Sequence, residues 1–276
     1  MPELPEVETT RLGLLPHVDG KRIIRVTVRD RRLRWPIPAT LNRTLTGLTV
    51  QDITRRGKYL LWNCRDQDAA GGYLLCHLGM SGTLQMCDNP SEIGKHDHVD
   101  ISLESGVTIR FNDPRRFGAM LWISGPTPTH PLLESLGPEP LSADFDGGVL
   151  YAASRGREVS VKEFIMNGHV VVGVGNIYAS ESLFRAQIHP ARAAGRISRQ
   201  RYDVLAEAIR ATLARALAAG GSSLRDYVKA DGDLGYFQLE ASVYDREGAP
   251  CRVCAAPIRA MRQGQRSTYF CARCQR

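Results

Sequence analysis

Cys251-Arg-Val-Cys254 and Cys271-Ala-Arg-Cys274 stand sixteen residues apart near the C-terminus, and they decide that part of the fold without help from the rest of the chain. Each Cys-x2-Cys pair can set two thiolates on one tetrahedral metal ion, and the spacer is long enough for a β-hairpin. A segment of about thirty residues cannot bury enough apolar area to fold alone, so a bound metal would supply the missing stability. Four sulfurs close the coordination sphere, which implies one structural Zn2+ held by Cys251, Cys254, Cys271 and Cys274. Free thiols or disulfides are the alternative for such a spacing. The chain has seven cysteines. An odd total with one tight cluster fits a metal site in a reducing compartment better than a disulfide framework. Cys64, Cys76 and Cys87 lie in or beside strand-like runs and read as buried core thiols.

The spacer between the pairs carries Arg259, Arg262 and Arg266. From Cys251 to Arg276 there are six Arg and no acid. A second basic run, Lys21 to Arg34, holds seven basic residues and one acid. Over 276 residues, Lys plus Arg exceed Asp plus Glu by 36 to 29, a net charge of +7. This balance suits a polyanionic partner, and one folded face could join the two basic ends. A rigid basic hairpin suits a phosphate backbone or a DNA groove. No apolar stretch reaches the length of a membrane span, and the acidic, Pro-rich opening is unlike a secretory or import signal. Those features exclude a membrane role and point to the cytoplasm.

Moving toward the N-terminus, Ser198–Ala219 reads as a helix, with Tyr202, Leu205, Ile209, Leu213 and Leu217 at helical spacing. Ile177–Ala186 reads as a shorter helix entered through Gly173-Val-Gly175-Asn176. The stretch 220–236, with four Gly and three Asp, reads as a mobile loop. Residues 124–148 carry five of the fifteen prolines and read as a linker. Before it, Arg22–Val28, Lys58–Trp62, Tyr73–His77, Val99–Leu103, Val107–Phe111 and Ala119–Ile123 are strand-like runs separated by Gly, Ser and Asp-Pro turn signals. The expected fold is therefore multidomain α+β. A β-sandwich with a leading helix occupies 1–123, a helical domain 149–238, and the four-cysteine finger 242–276.

The opening reads Met1-Pro2-Glu3-Leu4-Pro5-Glu6-Val7-Glu8. Initiator Met is normally removed before a small residue, which would leave Pro2 with a free secondary amine. An α-amino group titrates near 7.7–8, against about 10.4 for a lysine side chain, so near neutrality a useful fraction is nucleophilic. Attack on an aldehyde-level carbon would give an iminium ion, an electron sink. Glu3, Glu6 and Glu8 could shuttle protons. The same residues also compose an ordinary helix start, with Pro5 at the first helical position and acids in the first turn. Both readings can hold together, because the positive end of that helix disfavours an ammonium beside it. The helix is expected over 5–15, with Val7, Leu12 and Leu15 near one face and Pro16 ending it.

Taken in order, these motifs resemble the formamidopyrimidine-DNA glycosylase family from end to end. The resemblance runs through Pro2–Glu8, Gly57-Lys-Tyr-Leu-Leu61, His77-Leu-Gly-Met-Ser-Gly82, Lys95-His-Asp-His-Val-Asp100, Asp113-Pro-Arg-Arg-Phe-Gly118, Val171-Val-Gly-Val-Gly-Asn-Ile-Tyr-Ala-Ser-Glu181 and the four cysteines. It implies a bifunctional glycosylase and abasic-site lyase of base excision repair, acting as a monomer on damaged double-stranded DNA with no organic cofactor. The substrates would be oxidised purines such as 8-oxoguanine and formamidopyrimidines. The implied fold is a β-sandwich, a helical domain with a helix–two-turn–helix motif, and a zinc finger, with DNA in the cleft between domains. Pro2 would attack C1′ and form the Schiff base. Glu3 would assist proton transfer and ring opening, Glu6 would shape the site, and Lys58 would donate a second proton. Arg266 matches the position linked to the last elimination.

Bases inside a duplex must be flipped out before attack. Met80, Arg115 and Phe117 match the residues that fill the void. Read from the residues alone, Met80 and Phe117 are core packing. His96, Arg115, Arg157, Lys162 and Asn176 match DNA-contact positions, Asn176 at a helix entrance where backbone N–H groups can hold phosphate. His96-Asp97-His98 could otherwise be metal ligands, although further ligands are not evident nearby. Arg225 is also a DNA-contact position, and it departs from the family, where many relatives carry Lys. Its planar fork alters geometry while keeping charge. Two rivals are an endonuclease VIII-type enzyme for oxidised pyrimidines and a non-catalytic zinc-containing DNA-binding protein.

Overall fold

The structure, a computed structural model, describes residues 2–87, 90–221 and 241–276. Contacts divide these into two units: 2–134 with 220 and 221, and 135–219 with 241–276.

The first unit opens with α1 (Leu4–Val18). Its start is closed by a capping box: the Glu3 carboxylate accepts from the Glu6 backbone, and the Glu3 N–H donates to Glu6 Oε2 at 2.8 Å, so two otherwise orphan donors are satisfied. The helix runs further than its sequence suggests, with Pro16 inside its last turn. Of the expected apolar face, Val7 is buried and Leu15 packs on the core, but Leu12 is 53% exposed, and the buried spine is Leu4, Val7, Leu14 and Val18. Thr10, buried beside that spine, donates its hydroxyl to the Glu6 carbonyl. Arg11 occupies the spine's missing slot, so the helical period is interrupted by polar side chains.

The strands are β1 (Ile23–Val28), β2 (Thr49–Arg56), β3 (Tyr59–Arg65), β4 (Gly71–His77), β5 (Thr83–Met86), β6 (Asp97–Leu103), β7 (Thr108–Asn112) and β8 (Ala119–Ser124). A short helix, α2 (Leu41–Leu45), precedes β2, and α3 (Pro131–Glu134) ends the unit. Two antiparallel four-stranded sheets form, ordered β1-β6-β7-β5 and β2-β3-β4-β8. Their inner faces meet through Leu60, Trp62, Leu74 and Met120 from one and Val99, Ile101, Ile109 and Phe111 from the other. The second sheet also buries its outer face through Leu61, Leu75 and Ile123, with Leu133 of α3 packed on them. A strand covered on both sides has no need to alternate, which is why β3 reads Leu-Leu-Trp. Cys64 and Cys76 lie in the core. Burial pushes the Cys64 thiol up to about 12 and raises Cys76 as well, so neither is a ready nucleophile. Cys87 is only partly buried.

The second unit contains α4 (Gly147–Ser154), α5 (Val161–Met166), α6 (Asn176–Arg185), a 3-10 turn (Ala194–Arg196), α7 (Arg199–Ala218) and the hairpin β9 (Arg259–Gln263) and β10 (Arg266–Phe270). Asp146, Ser160 and Ser198 cap α4, α5 and α7 with side-chain acceptors, as short polar residues before apolar runs should. Tyr202 of α7 packs edge-on against Tyr151 and Phe164. Between α5 and α6 the chain turns at Asn167–Val170 before entering α6, which is the helix–two-turn–helix arrangement. The Pro-rich stretch is shared between the units. Gly125 and Pro126 carbonyls accept from Arg65 and Tyr73 of the first, while the Ser142 carbonyl accepts from Arg210 of the second. Most of the Gly-rich loop 220–236, with Arg225, lies outside the described residues. No described helix is long and apolar enough to cross a membrane.

Candidate functional site

Pro2 is buried and sits immediately before the capping box of α1. Glu3 and Glu6, 1% and 0% exposed, are both drawn into that box. The two carboxylates nearest Pro2 in the chain are thus held in fixed places at the positive end of a helix, where anions are favoured. Gly221 packs on Glu6, so that a Cβ there would stand 3.3 Å from Glu6 Oε1.

Glu8 has a different part from the one its sequence position suggested. Its Oε1 accepts from Arg11 at 3.0 and 2.7 Å, and its Oε2 accepts from Arg55 Nε at 2.9 Å. Burial alone would raise this carboxyl, but the hydrogen bonds and charge of Arg11, with those of Arg55, hold it below the ordinary range. An acid locked ionised between two guanidinium groups is a poor proton shuttle. It is instead a strut. Arg55 Nη1 donates to the Gly57 carbonyl at 3.0 Å, so Glu8 ties α1 to the β2–β3 turn that carries Lys58.

That turn has two residues, Gly57 and Lys58, between the paired Arg56 and Tyr59. Gly57 takes φ 58°, a conformation that the first position of a two-residue hairpin loop demands and glycine adopts without strain. Lys58 is partly exposed at the tip. Beside it, the His77 ring stacks on Tyr59 at 4.8 Å. His77 Nδ1 accepts the Gly79 N–H at 3.0 Å, so the proton of the neutral ring lies on Nε2. Burial first, then the charges of Lys58 and Arg34, bring the His77 pKa down to about 4.

The expectation that Met80 and Phe117 pack in the core does not survive for Phe117, which is 41% exposed; Met80 is partly exposed. Both sit on loops at one end of the sandwich, β4–β5 and β7–β8. The Arg115 guanidinium lies over the Phe117 ring at 5.1 Å. Gly79, at φ 64°, lies so close to Phe117 and Gly118 that a Cβ would collide with their backbone. His98 is buried and its Nε2 donates to the Asp113 carbonyl at 2.8 Å, while His96 is partly exposed at the mouth of β6. Among the described residues the four cysteines are the sole group able to hold a metal, so His96-Asp97-His98 does not make a metal centre. Part of the Lys21–Arg34 run is neutralised by pairing: Arg29 with Asp100, Arg32 with Asp30 and Arg22 with Glu104.

In the second unit, Lys162 of α5 is 1% exposed. Its Nζ donates to Asn176 Oδ1 at 2.6 Å, Thr268 Oγ1 at 2.6 Å and the Ser267 carbonyl at 3.2 Å. Asn176 Nδ2 donates to the same Ser267 carbonyl at 3.0 Å. A buried ammonium needs such acceptors, and here they join α5, the α6 entrance and β10. The Arg259, Arg262 and Arg266 side chains are exposed on that hairpin, Arg266 immediately after its tip. Arg157 is exposed, with its Nε donating to the Ala153 carbonyl at 3.0 Å.

The four sulfurs all lie within 4.8 Å of one another, with Cys251–Cys274 at 3.9 Å and Cys254–Cys271 at 3.5 Å. Tetrahedral Zn–S bonds of about 2.3 Å put sulfurs about 3.8 Å apart, so the donor set fits one Zn2+. Four thiolates leave no open position, and the ion is structural.

The sequence did not single out Ser81, Asp113 and His77, which hydrogen-bond the loops carrying Met80, Arg115 and Phe117. Their signal was a polar residue within the segments His77–Gly82 and Asp113–Gly118 that carry those three candidate contacts.

Known proteins align with the whole chain. The formamidopyrimidine-DNA glycosylase N-terminal domain matches residues 1–120, the formamidopyrimidine-DNA glycosylase H2TH domain 136–228, and the zinc finger found in FPG and IleRS 248–276. The formamidopyrimidine-DNA glycosylases of Ralstonia pickettii and Methylococcus capsulatus are 58% and 55% identical, with all of both chains covered. The crystal structure of the MutM (FPG) protein from Thermus thermophilus superposes with a TM-score of 0.87 at 37% identity, covering 99% of this chain and 98% of that one. The Lactococcus lactis Fpg in complex with DNA containing an abasic site gives 0.88 at 33% identity, with 99% of each chain covered.

Proposed function

The chain belongs to the formamidopyrimidine-DNA glycosylase family, and from that premise we propose that Pro2 is its nucleophile and oxidised purines in duplex DNA its substrate. It is a DNA glycosylase of base excision repair, with the abasic-site lyase activity general to the family and one structural zinc. The observation that carries the assignment of chemistry is the capping box: it fixes the Glu3 and Glu6 carboxyl groups beside the residue whose amine is freed when Met1 is removed.

The steps follow from that placement. The Pro2 nitrogen attacks C1′, the glycosidic C–N bond breaks, and the base leaves with the electron pair and takes up a proton. Glu3 serves the sugar oxygen as the ring opens, giving the iminium. The iminium withdraws electrons, so a proton is lost from C2′ and the 3′-phosphate departs. A second elimination expels the 5′-phosphate and leaves a one-nucleoside gap. Lys58, partly exposed on a turn strutted to α1 through Arg55 and Glu8, is the second proton donor. Arg266 serves the last elimination.

Met80, Arg115 and Phe117 fill the void left by the flipped nucleotide, and the exposed Phe117 ring is what a wedge between bases requires. His96, Arg157, Lys162 and Asn176 serve the DNA backbone, Lys162 by holding Asn176 and the hairpin rather than by an exposed charge, and Arg225, where many relatives carry Lys, is the DNA contact that bears on base recognition. The division into a catalytic domain 1–123, a linker 124–148, a helical DNA-binding domain 149–238 and a finger 242–276 belongs to the same proposal. So do action as a monomer and location in the bacterial cytoplasm with the nucleoid.

The test is reductive trapping. Protein incubated with an 8-oxoguanine:cytosine duplex and sodium borohydride should yield a covalent adduct that mass spectrometry maps to Pro2. No adduct, from zinc-loaded protein whose N-terminus is verified as Pro2, would overturn the assignment. A parallel duplex bearing thymine glycol separates the purine reading from the pyrimidine one.

A further inference from the structure

Asp113 is fully buried, and its carboxylate meets both loops that carry the proposed wedge. Oδ1 accepts the Ser81 hydroxyl at 3.0 Å and the Arg115 N–H at 3.3 Å, and Oδ2 accepts the Gly118 N–H at 2.8 Å. Its own N–H donates to the His96 carbonyl at 3.0 Å. Its carbonyl accepts from His98 Nε2 at 2.8 Å. Ser81, 6% exposed, also accepts the Arg115 N–H at 3.3 Å. One side chain thus bonds the residue after Met80, Arg115 itself, and the residue after Phe117. Gly79 and Gly118 let the two loop backbones approach closely enough for this: a Cβ on Gly118 would stand 2.7 Å from the His77 carbonyl and 3.0 Å from Asp113 Oδ2.

We propose that Asp113, acting through Ser81 and the Arg115 and Gly118 amides, is a positioning residue that locks Met80, Arg115 and Phe117 into one rigid wedge, so that the three enter the base stack together. This rests on the wedge reading above. Three side chains on two independent loops would each lose conformational freedom on insertion. Loops already joined by buried, charge-assisted hydrogen bonds have lost it beforehand, and that preorganisation lowers the cost of opening the duplex. The carboxylate takes no part in bond breaking. Its influence is confined to substrates in which a stack must be opened.

Ser81→Ala removes one hydroxyl and keeps the backbone. Asp113→Asn keeps the shape but turns an acceptor into a donor facing the Ser81 hydroxyl or a backbone N–H. Single-turnover excision from an 8-oxoguanine duplex should fall about tenfold in Ser81→Ala and about tenfold to a hundredfold in Asp113→Asn, the range expected from small misplacements. A 2-aminopurine placed opposite the lesion should show a smaller fluorescence rise. Cleavage of a single-stranded abasic oligonucleotide, which has no stack to open, should stay within about twofold of wild type. The double variant should be no slower than Asp113→Asn alone, because the two side chains form one device. If duplex and single-stranded rates fall together, the carboxylate merely supports the fold and the proposal is overturned. It is equally overturned if Ser81→Ala leaves duplex excision unchanged. Should Asp113→Asn fold poorly, as a lowered melting temperature would show, Ser81→Ala decides. Met80→Ala and Phe117→Ala serve as controls. If they too excise normally from duplex, it is the wedge reading that falls, and the role of Asp113 falls with it.

Discussion

Asp113 in the first unit and Lys162 in the second are withdrawn from solvent almost completely, at 0% and 1% exposure, yet they differ in reach. Asp113 gathers donors from two neighbouring loops of one sandwich. Lys162 bonds Asn176 and, 105 and 106 residues away, Ser267 and Thr268. The anion tunes the shape of loops whose strands are already fixed by a large apolar core. The cation joins helices to a hairpin beside which, among the described residues, a small cluster of Phe184, Val243, Ile258 and two of the cysteines is buried. A buried charge can therefore be a fine adjustment or a principal fastening, according to how much apolar area surrounds it.

The hardest way to break this contrast is to remove the metal. Zinc supplies on the order of 10 kcal/mol to such small sites, so a strong chelator should unfold the finger and spare the sandwich. The chain offers a built-in readout. Trp35, Trp62 and Trp122 are its three tryptophans, and all lie in the first unit. Tyr244 and Tyr269, edge-to-face at 5.2 Å, lie in the second. Chelation should remove the Tyr244–Tyr269 share of the near-ultraviolet dichroism, leaving that of the tyrosines packed outside the finger such as Tyr178 and Tyr202, and weaken DNA binding at moderate salt, while tryptophan emission holds steady. A shift in tryptophan emission at the same chelator concentration would show that the sandwich too depends on the ion.

A smaller effect is expected from Lys162→Met, which keeps the stem but strips three acceptors of their donor. The loss should be about 2–4 kcal/mol, offset in part by relief of the buried charge. The melting step seen by dichroism should move to lower temperature and the tryptophan-detected step should stay. Asp113→Asn should do the reverse and by less, since the core beneath it is intact. If both variants shift both steps equally, the two charges have the same reach and the contrast above is wrong.

How much of this was legible beforehand differs between the units for the same reason. The finger was readable because four cysteines at fixed spacing state their own tertiary contacts. The sandwich was readable as strands and turns, except where local pattern and pairing part ways. β2 went unread because a register shift between Val50 and Asp52 leaves Val50 and Ile53, three apart, facing the same core, which breaks the period of two. β5 has four residues, of which only Thr83 and Leu84 are buried. Phe117 read as core because an aromatic beside a strand usually is. Asp113 read as a turn signal before Pro114, and nothing local shows that its partner is Ser81, thirty-two residues earlier. Sequence shows which residue types punctuate a chain. It does not show which distant loops a buried carboxylate will join.

The finest test concerns His77, which also holds the Met80 loop, through Gly79. Its Nδ1 accepts the Gly79 N–H, and protonation would place a hydrogen on that nitrogen and break the bond. Burial, with the charges of Lys58 and Arg34, lowers its pKa to about 4, whereas an unfolded histidine titrates near 6.5. The folded pKa is the depressed one, so as pH falls the unfolded chain takes up the proton first. Stability from this group is complete above about pH 6.5, declines as pH drops toward 4, and changes no further below that. The total loss is about 1–3 kcal/mol, allowing for the partial exposure of the ring. His77→Asn retains a side-chain acceptor near the Nδ1 position and does not titrate. Urea midpoints followed by tryptophan emission should diverge between wild type and His77→Asn on going from pH 7 to pH 4, wild type falling faster. Carboxylates that titrate in the same range are common to both proteins and cancel in the difference. Parallel pH profiles would mean that the His77 ring is not held neutral by the fold, and that the Gly79 bond is no support for Met80.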